Sequence, residues 1–485
     1  MLRRPGAERC EEGKEPPPGD ASGQGEGERA SAGDDGDRRV GEKRNVNAMV
    51  TSPRNILTGS AGTGALMVVH AALSVATAMF FARLMGPEGY GVYSFGLAVA
   101  TLLTIPAKNG LSGLIVREVA RAFGAQDWPR LRGVMRWASA VTIAYSTALG
   151  GAVASACLLL APDVPMAQAT ALSMLLVPVW SLLGNWSGGV RGLARPVLGL
   201  AADSAVRPVL HLGLVAGAAY GLGVALTPAI AMQTQVAATA VAAILLMAAF
   251  RLLLPVPVKA IRTQSIAWRE WTRAALPFAA IGGLQVANRQ IDLVFLGLLT
   301  DEAQVGLYRV AIQGSMLITF GTQAVNTVVS PYFARHRPGS APSQLWVLMR
   351  TSVIVSLAVA LPGVLAFALF GGAVVVLVFG ESFSDAASPL VILSIANAVA
   401  ALNGAIVPLL NMTGNEKGTL RILCVGLITA AVLNLILIPL FTAVGAATAA
   451  VISTVIWSHM LRRAARRQLG VDPIKTLFAR THRDR

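Results

Sequence analysis

The residues of this sequence best able to do chemistry lie inside long apolar runs. Lys108 stands beside Asn109, just after Pro106. Asp203, Arg207 and His211 recur at steps of four, Asn288, Arg289 and Asp292 lie together, and Arg309 follows in the next run. A charge in hydrocarbon costs about 2.5–3.5 kcal/mol on insertion scales, so such residues are retained for function or for pairing. Steps of four place Asp203, Arg207 and His211 on one helix face. The cations Lys108, Arg207, Arg289 and Arg309 outnumber the carboxylates Asp203 and Asp292, leaving a remainder of +2. A dry cationic cavity does not persist without an anion, so the pattern points to anion binding. A structural reading stands beside it. Asp203 with Arg207, and Asp292 with Arg289 or Arg309, also suit ion pairs that fix helix packing. His211 equally suits a hydrogen-bonded helix contact, and Arg83 a side chain that snorkels to the membrane surface.

The elements that must position these residues are membrane helices. Of 485 residues, 54% are hydrophobic and 13% charged, against about a quarter charged in soluble proteins. Residues 1–50 hold nine Lys/Arg and eleven Asp/Glu; the remaining 435 hold 31 basic and 14 acidic residues, a net of +17. That composition excludes a soluble enzyme. It also excludes a nucleic-acid binder, whose basic residues form a patch on a polar surface. Runs long enough to cross ~30 Å of hydrocarbon as a helix recur at 57–82, 92–115, 136–160, 167–187, 198–221, 227–250, 276–298, 305–330, 352–370, 388–410, 420–438 and 442–461. The reading is therefore an all-α integral membrane protein with twelve transmembrane helices.

Loop charge orients them. Odd-numbered connections carry Glu88, Asp163, Asp301, Glu302, Glu381 and Asp385 without Lys or Arg. Even-numbered ones carry Arg117, Arg121, Arg130, Arg132, Arg136, Arg191, Arg195, Arg251, Lys259, Arg262, Arg269, Arg273, Arg335, Arg337, Arg350, Lys417 and Arg421. The positive-inside rule then puts both termini in the cytoplasm. The layout is an N-terminal extension (1–50), two six-helix halves (51–253 and 254–465) and a basic tail (466–485). The extension is too poor in aliphatics to fold; initiation at Met49 is the alternative. The Arg117–Arg136 stretch, with Trp128 and Trp137, reads as an interfacial or solvated face. The Asn411-Met412-Thr413 sequon falls on the cytoplasmic side and reads as a turn.

Other chemistries find no footing. There is no GxxxxGK[ST] phosphate loop. Cys10, Cys157 and Cys424 are too scattered for a disulfide framework or thiolate site, and the histidines show no HExxH spacing, so no metal or cofactor is expected. Gly59, Gly62 and Gly64 fit close helix packing.

The two halves share a turn. Gly86-Pro87-Glu88-Gly89-Tyr90-Gly91-Val92-Tyr93 and Thr300-Asp301-Glu302-Ala303-Gln304-Val305-Gly306-Leu307-Tyr308 are both acidic turns closing on Gly-x-Tyr. Six spans per half make them parallel repeats about an axis along the membrane normal, a transporter arrangement with substrate at the repeat interface.

With Arg117-Glu118-Val119-Ala120-Arg121, Arg289-Gln290-Ile291-Asp292, Val305-Gly306-Leu307-Tyr308-Arg309 and Leu409-Leu410-Asn411-Met412-Thr413-Gly414, the first turn resembles the polysaccharide-type flippases of the multidrug/oligosaccharidyl-lipid/polysaccharide (MOP) exporter superfamily. The resemblance spans roughly residues 52–465. It implies two six-helix bundles around a cavity, alternating access, and export of undecaprenyl-pyrophosphate-linked oligosaccharide across the bacterial cytoplasmic membrane, alongside polysaccharide polymerase or assembly proteins. On that reading Lys108, Arg207, Arg289 and Arg309 hold the pyrophosphate, while Asp203, His211, Asn288 and Asp292 line the cavity or couple ions. Two alternatives remain. One is a cation-coupled drug exporter, against which the absence of an acidic residue from the first span counts. The other is a membrane polysaccharide polymerase or ligase, which needs a large outer loop; the longest is 371–387, with Glu381 and Asp385.

Overall fold

The computed structural model describes residues 53–254, 267–334, 342–412 and 416–469. The extension 1–50 with Met49, the loop residues Lys259, Arg262, Arg335 and Arg337, Thr413 of the sequon, and the tail beyond residue 469 lie outside the described residues. Internal contacts divide the chain into Met1–Thr58 and Gly59–Arg485; the contacts discussed below lie in the second unit.

Among the described residues all regular structure is helical. Helix α1 (Pro53–Leu103) folds back on itself at Gly86 (φ 68°). Only glycine takes that φ without penalty, and Pro87, which has no amide hydrogen to lose, opens the second limb. The Phe81 and Tyr93 rings stand 5.2 Å apart, where twelve residues of straight helix would separate them by roughly 18 Å.

A π-helical turn (Ile105–Gly110) carries Pro106 and Lys108 into α2 (Leu111–Gly124). Asp127 caps α3 (Trp128–Leu160), accepting from the Arg130 amide at 3.0 Å. Then come α4 (Pro165–Ser173) and α5 (Leu176–Gly192). Helix α6 (Pro196–Ala201), a second π turn (Ala202–Val206), α7 (Arg207–Ala216) and a third π turn (Gly217–Gly221) form the next crossing. Helix α8 (Pro228–Leu253) closes this half.

The second half holds α9 (Trp268–Leu299), α10 (Glu302–Ala334), α11 (Pro342–Phe379), a 3-10 turn (Glu381–Ala386), α12 (Ala387–Ala401), α13 (Ile406–Met412) and α14 (Glu416–Leu469). Helix α14 doubles back at Thr442 (φ 48°), shortly after Pro439.

Among the described residues, eight stretches are long and apolar enough to cross a membrane: Gly62–Leu103, Trp128–Leu160, Pro165–Gly192, Pro196–Gly221, Pro228–Leu253, Trp346–Phe379, Glu381–Ala401 and Gly418–Arg467. The first and last contain the two fold-backs. Helices α9 and α10 have the length, but Gln285, Asn288, Arg289, Gln290 and Asp292 interrupt the apolar character of α9. The outer connection expected at 371–387 is not a loop. The apolar run Val374–Phe379 prolongs α11, Gly380 turns the chain at φ 109°, and Phe383 of the 3-10 turn is fully buried.

Small residues set the packing, as they must where lipid gives no hydrophobic drive between helices. A Cβ at Gly62 would stand 2.9 Å from Val197, whereas Gly64 faces open space. The second limb of α1, with the π turn that follows it, runs antiparallel to α9 in close contact: Ile105 covers Gly283 and Phe95 covers Gly297, each within 2.5 Å of where a Cβ would stand. That pairing sets the relative depth of every polar residue on the two helices.

Candidate functional site

Lys108, Asp203 and Arg207 form one cluster. Lys108 Nζ donates to Asp203 Oδ2 at 3.0 Å, and Arg207 Nε to Asp203 Oδ1 at 2.8 Å. The Trp180 indole N–H also donates to Oδ1, at 3.2 Å. The Trp180 ring centre lies 4.2 Å from Lys108 Nζ and 5.0 Å from Arg207 Cζ, within cation–π range of both. His70 Nδ1 approaches the Ser204 carbonyl at 3.3 Å. Two π turns present Lys108 and Asp203 to each other; such irregular turns are frequent at functional sites. Gly184 gives Lys108 its path, since a Cβ there would lie 2.7 Å from Lys108 Cγ. The side chains are 21%, 28% and 12% exposed for Lys108, Asp203 and Arg207. Two cations on one carboxylate leave +1.

His211 does not join them. Its Nε2–H donates to the Ala231 carbonyl at 3.1 Å, and its ring meets Phe81 edge-on at 5.0 Å. The π turn Ala202–Val206 shifts the phase of the helix between Asp203 and His211, and His211 ends in the core, 2% exposed.

Asp292 pairs with neither Arg289 nor Arg309. It accepts from Tyr308 Oη at 3.2 Å and Asn434 Nδ2 at 2.6 Å. Asn288 spends its amide on the Leu284 and Leu423 carbonyls. Arg289 is exposed and, among the described residues, has no hydrogen bond or ion pair. Arg309 approaches the Tyr90 hydroxyl, and its Nε is buried without a partner. The contacts of α9 with the second limb of α1 put Arg289 roughly 12 Å along the axis from Lys108, at 1.5 Å per residue. Tyr90, and Arg309 with it, lies about 27 Å away by the same measure. The four cations therefore stand at three levels rather than around one anion.

At the acidic-turn end the two repeated turns close on each other. A Cβ at Gly91 would fall 1.8 Å from the Glu302 carbonyl oxygen and 3.0 Å from the Gly306 amide; one at Gly306 would fall 2.0 Å from the Pro87 oxygen and 3.2 Å from the Gly91 amide. Tyr90 meets Phe383 at 6.4 Å. The Arg83 guanidinium donates to the Val378 carbonyl at 2.9 Å and to that of Leu377, capping α11.

At the other end Glu118 is a structural hub. Its side chain is 0% exposed and meets Arg130 at 2.9 Å, Arg117 at 3.2 Å and Arg121 at 3.5 Å. Arg130 continues to Glu270 of α9 at 2.8 Å, and the Trp137 and Trp271 rings meet at a tilt, 5.4 Å apart. Burial pushes the Glu118 carboxyl up, but the Arg130 hydrogen bond and the charges of Arg130, Arg121 and Arg117 outweigh it and hold the group below the usual carboxylate range. The Arg117–Arg136 stretch is thus partly internal, not a wholly solvated face.

Trp180, His70, Tyr308 and Asn434 are the site residues that pattern reading missed. Asn434 did carry a signal, as a lone amide in an apolar run. Trp180 carried none, since its role depends on residues from two other crossings.

A family profile described as "Polysaccharide biosynthesis protein" matches residues 57–336. "Probable flippase AglR" of Haloferax volcanii is 29% identical over 177 residues, 36% of this chain and 37% of that protein. "Probable low-salt glycan biosynthesis flippase Agl15" of the same organism is 26% identical over 178 residues, 35% of this chain and 37% of that protein. The chain thus spans 37% of the length of each of these relatives. Among solved structures, an inward-facing multidrug resistance MATE family transporter of the MOP superfamily aligns at TM-score 0.66 and 14% identity, over 83% of this chain and 94% of that one. Lipid II flippase MurJ, inward closed, aligns at TM-score 0.66 and 11% identity, over 85% and 88%. At those identities the likeness is one of fold. With more than half its length matched by the profile, the chain belongs to the polysaccharide biosynthesis protein family and is a multi-pass helical membrane protein with the fold of the MOP superfamily.

Proposed function

We propose that this protein is a flippase that moves an undecaprenyl-pyrophosphate-linked oligosaccharide across the bacterial cytoplasmic membrane, by alternating access and without catalysing a covalent step. The observation that carries the reading is the cluster of Lys108, Arg207 and Asp203: net positive, part-exposed, and set within membrane crossings. Arg supplies a planar donor fork and Lys a compact charge, a combination suited to phosphate oxygens. Arg289 and Arg309, farther along the axis, offer later contacts to the same headgroup while the lipid tail stays in the bilayer. Counting the fold-backs at Gly86 and Thr442 as separate crossings, twelve helices form two bundles, 51–253 and 254–465. Both termini lie in the cytoplasm, the acidic turns face outward, and a polysaccharide polymerase or assembly protein receives the product. The relatives named as flippases support the class of activity.

A second reading, cation coupling as in a drug exporter, is favoured by one observation: Asp292 is held by neutral donors alone, with no basic side chain among them. A polymerase or ligase finds little support, because the stretch carrying Glu381 and Asp385 is a short packed turn.

The test is glycan analysis of a deletion strain. Loss of surface polysaccharide with accumulation of lipid-linked repeat units is expected, restored by the wild-type gene but not by Arg207→Ala or Arg289→Ala variants that still insert. Normal polysaccharide in the deletion strain, or in both variants, refutes the reading.

A further inference from the structure

We propose that Asp203 is a tethered counter-anion occupying the seat of the substrate's diphosphate, and that Trp180 is the positioning residue that holds Lys108 and Arg207 ready for the exchange. The inference rests on the flippase reading for the class of ligand and goes beyond it in saying how the site is kept closed and opened.

The geometry separates this carboxylate from a packing ion pair. Glu118 shows what a packing pair looks like here: 0% exposed, on a regular helix, ringed by three guanidinium groups. Asp203 is 28% exposed and sits on a π turn, facing Lys108 on another π turn. Each of its oxygens is engaged by a different cation, at 3.0 Å and 2.8 Å. Two donors converging on two oxygens also suit a phosphate, which brings more charge and more acceptors. Neither cation is used up. Lys108 commits one ammonium hydrogen to Asp203, and Arg207 commits only Nε, leaving its terminal nitrogens to be shared. A diphosphate can therefore begin to bind before Asp203 lets go, so no step exposes bare cations to lipid.

Trp180 supplies what a mobile carboxylate cannot. Its ring lies 4.2 Å from Lys108 Nζ and 5.0 Å from Arg207 Cζ, so both cations keep a neutral partner when Asp203 leaves. Its indole N–H, 3.2 Å from Oδ1, marks the resting position of the carboxylate.

The test is calorimetric titration of the purified full-length protein in lipid nanodiscs with geranyl diphosphate, and separately with inorganic pyrophosphate. Removing the competing charge by Asp203→Asn is expected to tighten both by roughly tenfold or more, the scale of one charge at contact distance in a part-exposed site. Trp180→Leu is expected to weaken both by roughly tenfold, with Trp180→Phe in between because it keeps the ring. Equal or weaker binding by Asp203→Asn overturns the exchange. Wild-type affinity in Trp180→Leu overturns the positioning role. An ordering seen with the prenyl probe but not with pyrophosphate places the effect on the hydrocarbon and also overturns it. Should Asp203→Asn fail to insert, the wild type carries the test. Its emission minus that of Trp180→Phe must shift on saturation, as the carboxylate leaves the indole N–H; no shift overturns the exchange. Complementation of the deletion strain by the wild type, with the variant ordering absent, leaves the flippase reading intact and removes only this inference. No diphosphate binding by any variant removes both.

Discussion

Gly91→Ala asks whether the meeting of the two repeated turns is a gate. The added Cβ would stand 1.8 Å from the Glu302 carbonyl oxygen, against 3.4 Å or more in ordinary contact, so the turns must separate by about 1.6 Å. The opposing atoms are backbone, which cannot swing aside as a flexible side chain would. Overpacking of this kind costs about 1–3 kcal/mol. Charged to the closed state alone, it raises the ratio of open to closed by roughly 5- to 150-fold. The assay is pulsed electron–electron resonance between spin labels at Glu88 and Asp301, in a background lacking Cys10, Cys157 and Cys424. The expected result is a longer distance distribution in Gly91→Ala and, through the Pro87 oxygen at 2.0 Å, in Gly306→Ala. Gly372→Ala is the control, because a Cβ there meets nothing within 4 Å. Distances unchanged in both turn variants, with wild-type transport, would refute the reasoning.

Three further outcomes follow from the packing. Glu118→Gln leaves guanidinium groups without their buried carboxylate and is expected to lose about 3–5 kcal/mol, with most of the effect through Arg130, since Arg117 and Arg121 are 44% and 59% exposed. Because the folded carboxyl titrates below its unfolded value, its contribution is complete above the unfolded pKa of about 4.3 and is lost as pH falls through the folded one. Melting curves of wild type and Glu118→Gln should therefore converge only below about pH 4; a constant gap speaks against the hub. Asn434→Leu removes the 2.6 Å donor from Asp292 and is expected to lower stability by about 1–3 kcal/mol, read as the unfolding temperature; an unchanged temperature contradicts the pairing. Arg83→Met uncaps the Leu377 and Val378 carbonyls, and hydrogen exchange at residues 380–383 should rise, whereas protection equal to wild type removes the cap.

Much of the fold was legible without coordinates, because its signals are local. Apolar runs of spanning length marked membrane helices, and Gly86-Pro87 marked a turn. The charged candidates were visible for the same reason: Lys108, Asp203 and Arg207 stand out in any apolar window. The stretch 371–387 differs from the loop expected there because the apolar run Val374–Phe379 continues the helix.

Partnership was another matter. Asp203 lies 95 residues from Lys108, and no spacing rule places them 3.0 Å apart. Asp292 was matched to the nearest cations in the chain, yet its donors are Tyr308 and Asn434. His211 kept its spacing but left the face, because a π turn lies between it and the preceding helix. The repeated Gly-x-Tyr turns hinted at symmetry, but only packing brought Gly91 against Gly306. Composition determines that this chain enters a membrane and where it turns, since hydrocarbon solvation acts on each segment separately. Which charges neutralise each other depends on depth and helix rotation, and those are set by contacts between crossings distant in the chain.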